Sequence, residues 1–173
     1  MSQRIPDRLD PWRYADLAKV FGGTIRLGSL PRLSLCLLDA GGDAEFDLRF
    51  GRDAEHRATL TGTIRADLVL ECQRCLEAVA LPVEAWVSVA FVVGIEQADR
   101  LPESLDPCLV DEARVSLRDL IEDELLLRLP QVAMHQAGGC AARLTAQSGT
   151  PLAEEDSAAE NPFAVLAELK RDK

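Results

Sequence analysis

Glu71-Cys72-Gln73-Arg74-Cys75-Leu76 sets two thiols three residues apart, where one strand-like run ends and another soon begins. Thiolates at this spacing grip one tetrahedral metal ion from a tight turn, and zinc then needs two further ligands. The other His and Cys residues that stand close together are His135 and Cys140, with Gly138 and Gly139 to allow a turn. Cys72, Cys75, His135 and Cys140 are therefore a candidate Cys₃His set for zinc. Two other readings stay open. A redox pair wants its first Cys at a helix N-terminus in a βαβ context; here the surroundings are strand-like, and Glu71 and Glu77 oppose thiolate formation, partly offset by Arg74. The plainer alternative is two small thiols at a sheet turn with no ligand. Cys36 and Cys108 read as buried packing residues.

Asp119, Glu122, Asp123 and Glu124 form the second feature. Positions 119 and 123 share a helix face, as do 120 and 124. No His stands nearby in the sequence to complete an acid/base or metal-carboxylate centre. Such a run is ordinarily a solvated face, or an acidic surface for a basic partner. Glu122, Asp123 and Glu124 are thus candidate partner-binding residues. Phe163, Leu166 and Leu169 are further candidates, on one apolar face of a helix opened by Asn161-Pro162. His56 falls in a turn between strands and reads as a surface residue. With no phosphate-cradling glycine loop, GxSxG or HExxH, the expectation is a protein that is not an enzyme.

The elements that must hold these residues follow from periodicity. Asp10 caps a short helix beginning at Pro11, with Trp12, Leu17 and Val20 as its apolar side and Gly22-Gly23 as its end. Phe46, Leu48 and Phe50 alternate with polar residues. So do Leu60, Ile64, Ala66, Leu68 and Leu70, and then Val83, Ala85, Val87, Val89 and Phe91. Period two marks strands with one buried face, and the short joins predict antiparallel pairing. Leu30 to Leu38 fits strand or helix. Asp99 to Pro107 reads as an acidic loop. Ser116 and Asp119 open a helix whose inward stripe is Leu117, Leu120, Ile121 and Leu125, and Pro130 stops it. The expected fold is α+β: a mainly antiparallel sheet, with barrel-like closure left open, an N-terminal helix, an acidic helix near 116–129 and a C-terminal helix. The expected divisions are a single domain over 1–140, a flexible acidic linker over 141–160 and the helix over 161–173.

Charge narrows the partners. The 173 residues carry a formal net charge of −10. Residues 1–70 balance ten acids against ten bases, 71–109 sum to −5, 110–160 to −6 and 161–173 to +1. Gripping nucleic acid through its phosphates needs clustered Lys/Arg, so an RNA clamp is disfavoured and a basic protein partner favoured. Direct RNA binding would need a local basic groove drawn from Arg26, Arg32, Arg49, Arg52, Arg57 and Arg65. The N-terminus lacks the apolar stretch of a secretory signal, and Val83 to Ile95 is too short to span a bilayer. Five cysteines without an export signal suit thiols or metal ligands better than a disulfide framework. The expected location is the cytoplasm, with no membrane association.

Three stretches, taken in order, resemble the large ribosomal RNA subunit accumulation proteins, the YceD family. They are Leu70-Glu71-Cys72-Gln73-Arg74-Cys75-Leu76; Leu120-Ile121-Glu122-Asp123-Glu124-Leu125-Leu126-Leu127 with Leu129-Pro130 and His135; and the terminal Asn161-Pro162-Phe163-Ala164-Val165-Leu166-Ala167-Glu168-Leu169-Lys170. With Leu9-Asp10-Pro11, the likeness runs nearly the whole length. It implies a bacterial cytoplasmic factor of ribosome biogenesis, needed for large-subunit rRNA to accumulate. Combined with the charge, it leads to an expected partner: a basic ribosomal protein or pre-ribosomal particle, engaged through the acidic half. The competing expectation is an RNA-processing or nuclease-associated protein acting directly on rRNA precursors, with Glu122, Asp123 and Glu124 holding Mg²⁺.

Overall fold

The alternating runs become an open five-stranded sheet in the order β1-β2-β3-β4-β5. In this computed structural model, which describes residues 6, 8–110, 114–136 and 139–140, the strands are Val20–Arg26, Asp43–Arg52, Ala58–Glu71, Ala78–Val92 and Asp106–Leu109. The first four pair antiparallel through short connections, and β5 lies parallel to β4. A parallel neighbour needs a crossover, and residues 93–105, with the one-turn helix α3 at Ile95–Ala98, make it. The sheet does not close into a barrel: β1 and β5 are separate edges.

The inner face buries Phe46, Leu48, Phe50, Leu60, Ile64 and Leu68, with Ala85 and Val87 from β4 beside them. Phe50 stacks on Phe91 with ring centroids 5.8 Å apart, and Tyr14 and Phe21 close the cluster. Helix α1, Pro11–Asp16, lies against β2 and β3. Asp10 accepts hydrogen bonds from the N–H groups of Trp12 and Arg13 to start it. Helix α2, Pro31–Ser34, meets α4, Leu117–Leu127, whose Leu117, Ile121 and Leu125 enter the core. Ser116 accepts from Asp119 N–H at the head of α4.

Two expectations are corrected here. The first helix ends at Asp16, and Gly22-Gly23, expected to terminate it, lie inside strand β1. The stretch 99–107, expected to be loop, supplies the start of β5. By their contacts the residues divide into two units, Met1–Gly138 and Gly139–Lys173. The linker expected at 141–160 and the helix expected at 161–173, with Phe163, Leu166 and Leu169, lie outside the described residues.

Candidate metal centre

At one end of the sheet, β3 stops at Glu71 and β4 starts at Ala78, register partners across a closing turn. Cys72 N–H donates to the Glu77 carbonyl, and Leu76 N–H donates back to the Cys72 carbonyl, both at 2.8 Å. Leu76 takes a φ of 62°, the left-handed step that turns the chain back so that Glu77 can meet Cys72. The turn is then fastened to the stretch after α4. Gln73 N–H donates to the Ala133 carbonyl at 2.9 Å, which brings His135 alongside.

Within the first unit the ligand atoms of Cys72, Cys75 and His135 lie within 4.8 Å of one another. Cys75 Sγ is 3.5 Å from His135 Nδ1. On the far side of the ring, Nε2 stands 3.0 Å from the Ala78 carbonyl oxygen. A carbonyl only accepts, so Nε2 carries the hydrogen. In the neutral ring Nδ1 is then left with its lone pair facing the thiols. This is the outer-shell arrangement that orients a histidine ligand on a metal.

Cys72 is fully buried, and burial by itself pushes its thiol up. Backbone hydrogen bonds, first from His135 and then from Cys75 and Arg74, outweigh burial and bring it to about 5. The shift favours the thiolate, the form in which cysteine ligates metal. Two sulfurs and one imidazole nitrogen around one point match zinc's preferred donors. Cys140, the fourth sequence candidate, belongs to the second unit and is buried.

The other candidates are placed differently. Glu122 does not sit on a solvated acidic face: it is 1% exposed. One carboxylate oxygen accepts from Arg32 N–H at 2.7 Å and Leu33 N–H at 3.0 Å, and the other accepts from Arg32 Nε at 3.0 Å. Glu122 thus caps α2 from across the molecule, where no residue of α2's own entry supplies a side-chain cap. Asp123 is exposed and pairs with Arg32 at 2.6 Å. Glu124 is half-buried, its carboxyl pushed up by burial and then by Asp106. Cys36 is exposed and Cys108 half-buried, where both were expected inside. His56 is exposed in the β2–β3 turn, at a φ of 61°.

The sequence reading missed the outward face of the sheet. Trp86 is 68% exposed. It holds a polar parity position in β4 between Ala85 and Val87, a signal that the alternation already contained.

An open α+β sheet carrying a thiol–imidazole cluster at its closing turn defines a small protein built around a candidate cysteine/histidine metal centre. Residues 60–170 match the family described as Large ribosomal RNA subunit accumulation protein YceD. The chain is also 34% identical over 169 residues to the protein of that name from Haemophilus influenzae, an alignment covering 97% of each chain. It belongs to the YceD family. No solved structure matches it.

Proposed function

We propose that this chain supports the accumulation of large-subunit ribosomal RNA as a cytoplasmic, non-enzymatic factor that engages a basic ribosomal protein or an assembly intermediate. The family name carries the first half of this reading. The fate of the arginines carries the second. Of the six that a basic groove would need, Arg32, Arg52, Arg57 and Arg65 are each bonded to a carboxylate. A cation held by its own acid has little field left for a phosphate. The chain's acidic excess instead attracts Lys/Arg-rich surfaces and repels naked RNA. A Mg²⁺-dependent nuclease centre at Glu122, Asp123 and Glu124 is poorly supported, because Glu122 is already committed to the backbone of α2. Among the described residues no helix is long and apolar enough to cross a membrane.

In the same reading Cys72, Cys75 and His135 hold one zinc ion, with Cys140 the fourth ligand that the sequence proposes. Cys140 follows His135 by five residues. The metal's part is structural: it clamps the β3–β4 turn to the segment after α4.

Removing the protein from its host and quantifying both ribosomal RNAs tests the function. Large-subunit rRNA is expected to fall relative to small-subunit rRNA, and an unchanged ratio contradicts the reading. Elemental analysis of protein purified without a metal-affinity tag is expected to give about one zinc per chain. Zinc near zero, with Cys72 and Cys75 readily alkylated, removes the metal.

A further inference from the structure

The inner face of the sheet is filled by the core; on the outer face Ala90 and Val92 are buried at one end of β4, whereas Glu45, Arg65, Glu84 and Trp86 are exposed. Strand register sets out that face in rows. Thr24, Glu45, Arg65 and Glu84 line up across β1 to β4, and Gly22, Asp47, Thr63 and Trp86 form the next row. Thr63 is the register neighbour of Trp86, and its short side chain leaves that side of the exposed indole uncrowded. The adjoining depression encloses about 790 Å³ and is lined by Asp43, Glu45, Asp67, Glu84 and a single cation, Arg65. Arg65 is held by Glu84 at 2.6 Å, so its charge is spent locally. Arg26, opposite Asp43 in the register, and Arg49 stand on the same face, so the five acids Asp43, Glu45, Asp47, Asp67 and Glu84 outnumber its three arginines by two.

We propose that this outer face, with Trp86 as anchor and Asp43, Glu45, Asp47 and Asp67 as charge, docks an extended arginine-rich segment of a basic protein. The proposal rests on the reading of a basic partner and assigns it a surface. A guanidinium suits this site on two counts. It stacks on an exposed indole, and it forks onto carboxylates. An extended segment suits the shape, because the rows are two residues apart along each strand, about 6.8 Å, the same repeat as the alternate side chains of an extended peptide. RNA bases would also stack on Trp86, but their phosphates would face the carboxylates.

The test uses the full chain, a short synthetic arginine-rich peptide and purified basic ribosomal proteins of the large subunit. Trp86→Ala is compared with the triple change Asp43→Asn, Glu45→Gln, Asp47→Asn. The control, Glu96→Gln, Glu103→Gln, Asp119→Asn, removes equal charge outside these four strands. Thermal unfolding checks that each variant is folded. The expected result is about a tenfold loss of affinity for Trp86→Ala and for the face triple, a flattened salt dependence for the triple, and near-wild-type binding for the control. Should the unaltered chain capture no basic ribosomal protein, the functional reading falls and this proposal with it. If the unaltered chain captures one and the face variants capture it equally, the proposal alone is overturned. Tighter binding to single-stranded RNA that depends on Trp86 also overturns it. So does a drop in the protein's own solution mass on Trp86→Ala, which would identify the occupant as a second copy.

Discussion

Two carboxylates show how the same functional group does different work in different surroundings. Glu122 belongs to an acidic run that reads as solvated surface, yet its side chain supplies the acceptors that open helix α2. Glu122→Ala leaves two backbone N–H groups without that acceptor and is expected to destabilise the fold by about 3 kcal/mol. Urea unfolding measures this, and a loss below about 1 kcal/mol would contradict the capping role. Asp53 organises the β2–β3 turn, accepting from Glu55 N–H, Arg57 N–H and Arg57 Nε. Burial pushes its carboxyl up, but the bonds from Arg57 and Glu55 outweigh burial and leave it below the ordinary value. A carboxyl lowered on folding stabilises the protein fully above its unfolded value, and that contribution is lost as pH falls through the folded value. Asp53→Asn is therefore expected to cost about 1 kcal/mol near neutrality, with the gap to the unaltered protein closing below about pH 4. A gap independent of pH would show that the charge is not what matters.

At the scale of elements, the long alternating runs were legible because each buries one face. Phe46, Leu48 and Phe50, and then Leu60 to Leu70, fall inside as period two requires. Strand β1 was not legible: Gly22-Gly23 looks like a helix terminator, and only pairing with β2 makes it a strand. Strand β5 has four residues, one of them Pro107, too few to show a period. The candidate ligand types were readable from Cys72-x-x-Cys75 and His135. What joins them was not, because the Gln73–Ala133 hydrogen bond links backbone groups that carry no side-chain signature. Likewise, nothing local in the acidic run distinguishes Glu122 from Asp123; Glu122's partners lie about 90 residues away. Gly62 illustrates a constraint between strands. It has a φ of 153°, and an added Cβ would sit 2.0 Å from the Asp47 carbonyl oxygen. Gly62→Ala forces the β2–β3 backbones apart and is expected to cost at least about 3 kcal/mol. Thermal unfolding checks this, and a change within about 0.5 kcal/mol would show that the strands accommodate a methyl group freely.

Over the whole molecule, the proposed reading of a cationic partner rests on a net charge of −10 and on Arg32, Arg52, Arg57 and Arg65 being paired to the chain's own acids. An effect on ribosomal RNA then need not involve touching it. Holding a basic component before or during large-subunit assembly would protect the RNA that depends on that component. The most direct test sets the two partners side by side: affinity of the full chain for purified basic large-subunit ribosomal proteins and for rRNA fragments, across a salt series. The account predicts measurable protein binding that weakens as salt rises, and weaker RNA binding throughout. Tighter, steeply salt-sensitive binding to naked rRNA would contradict it.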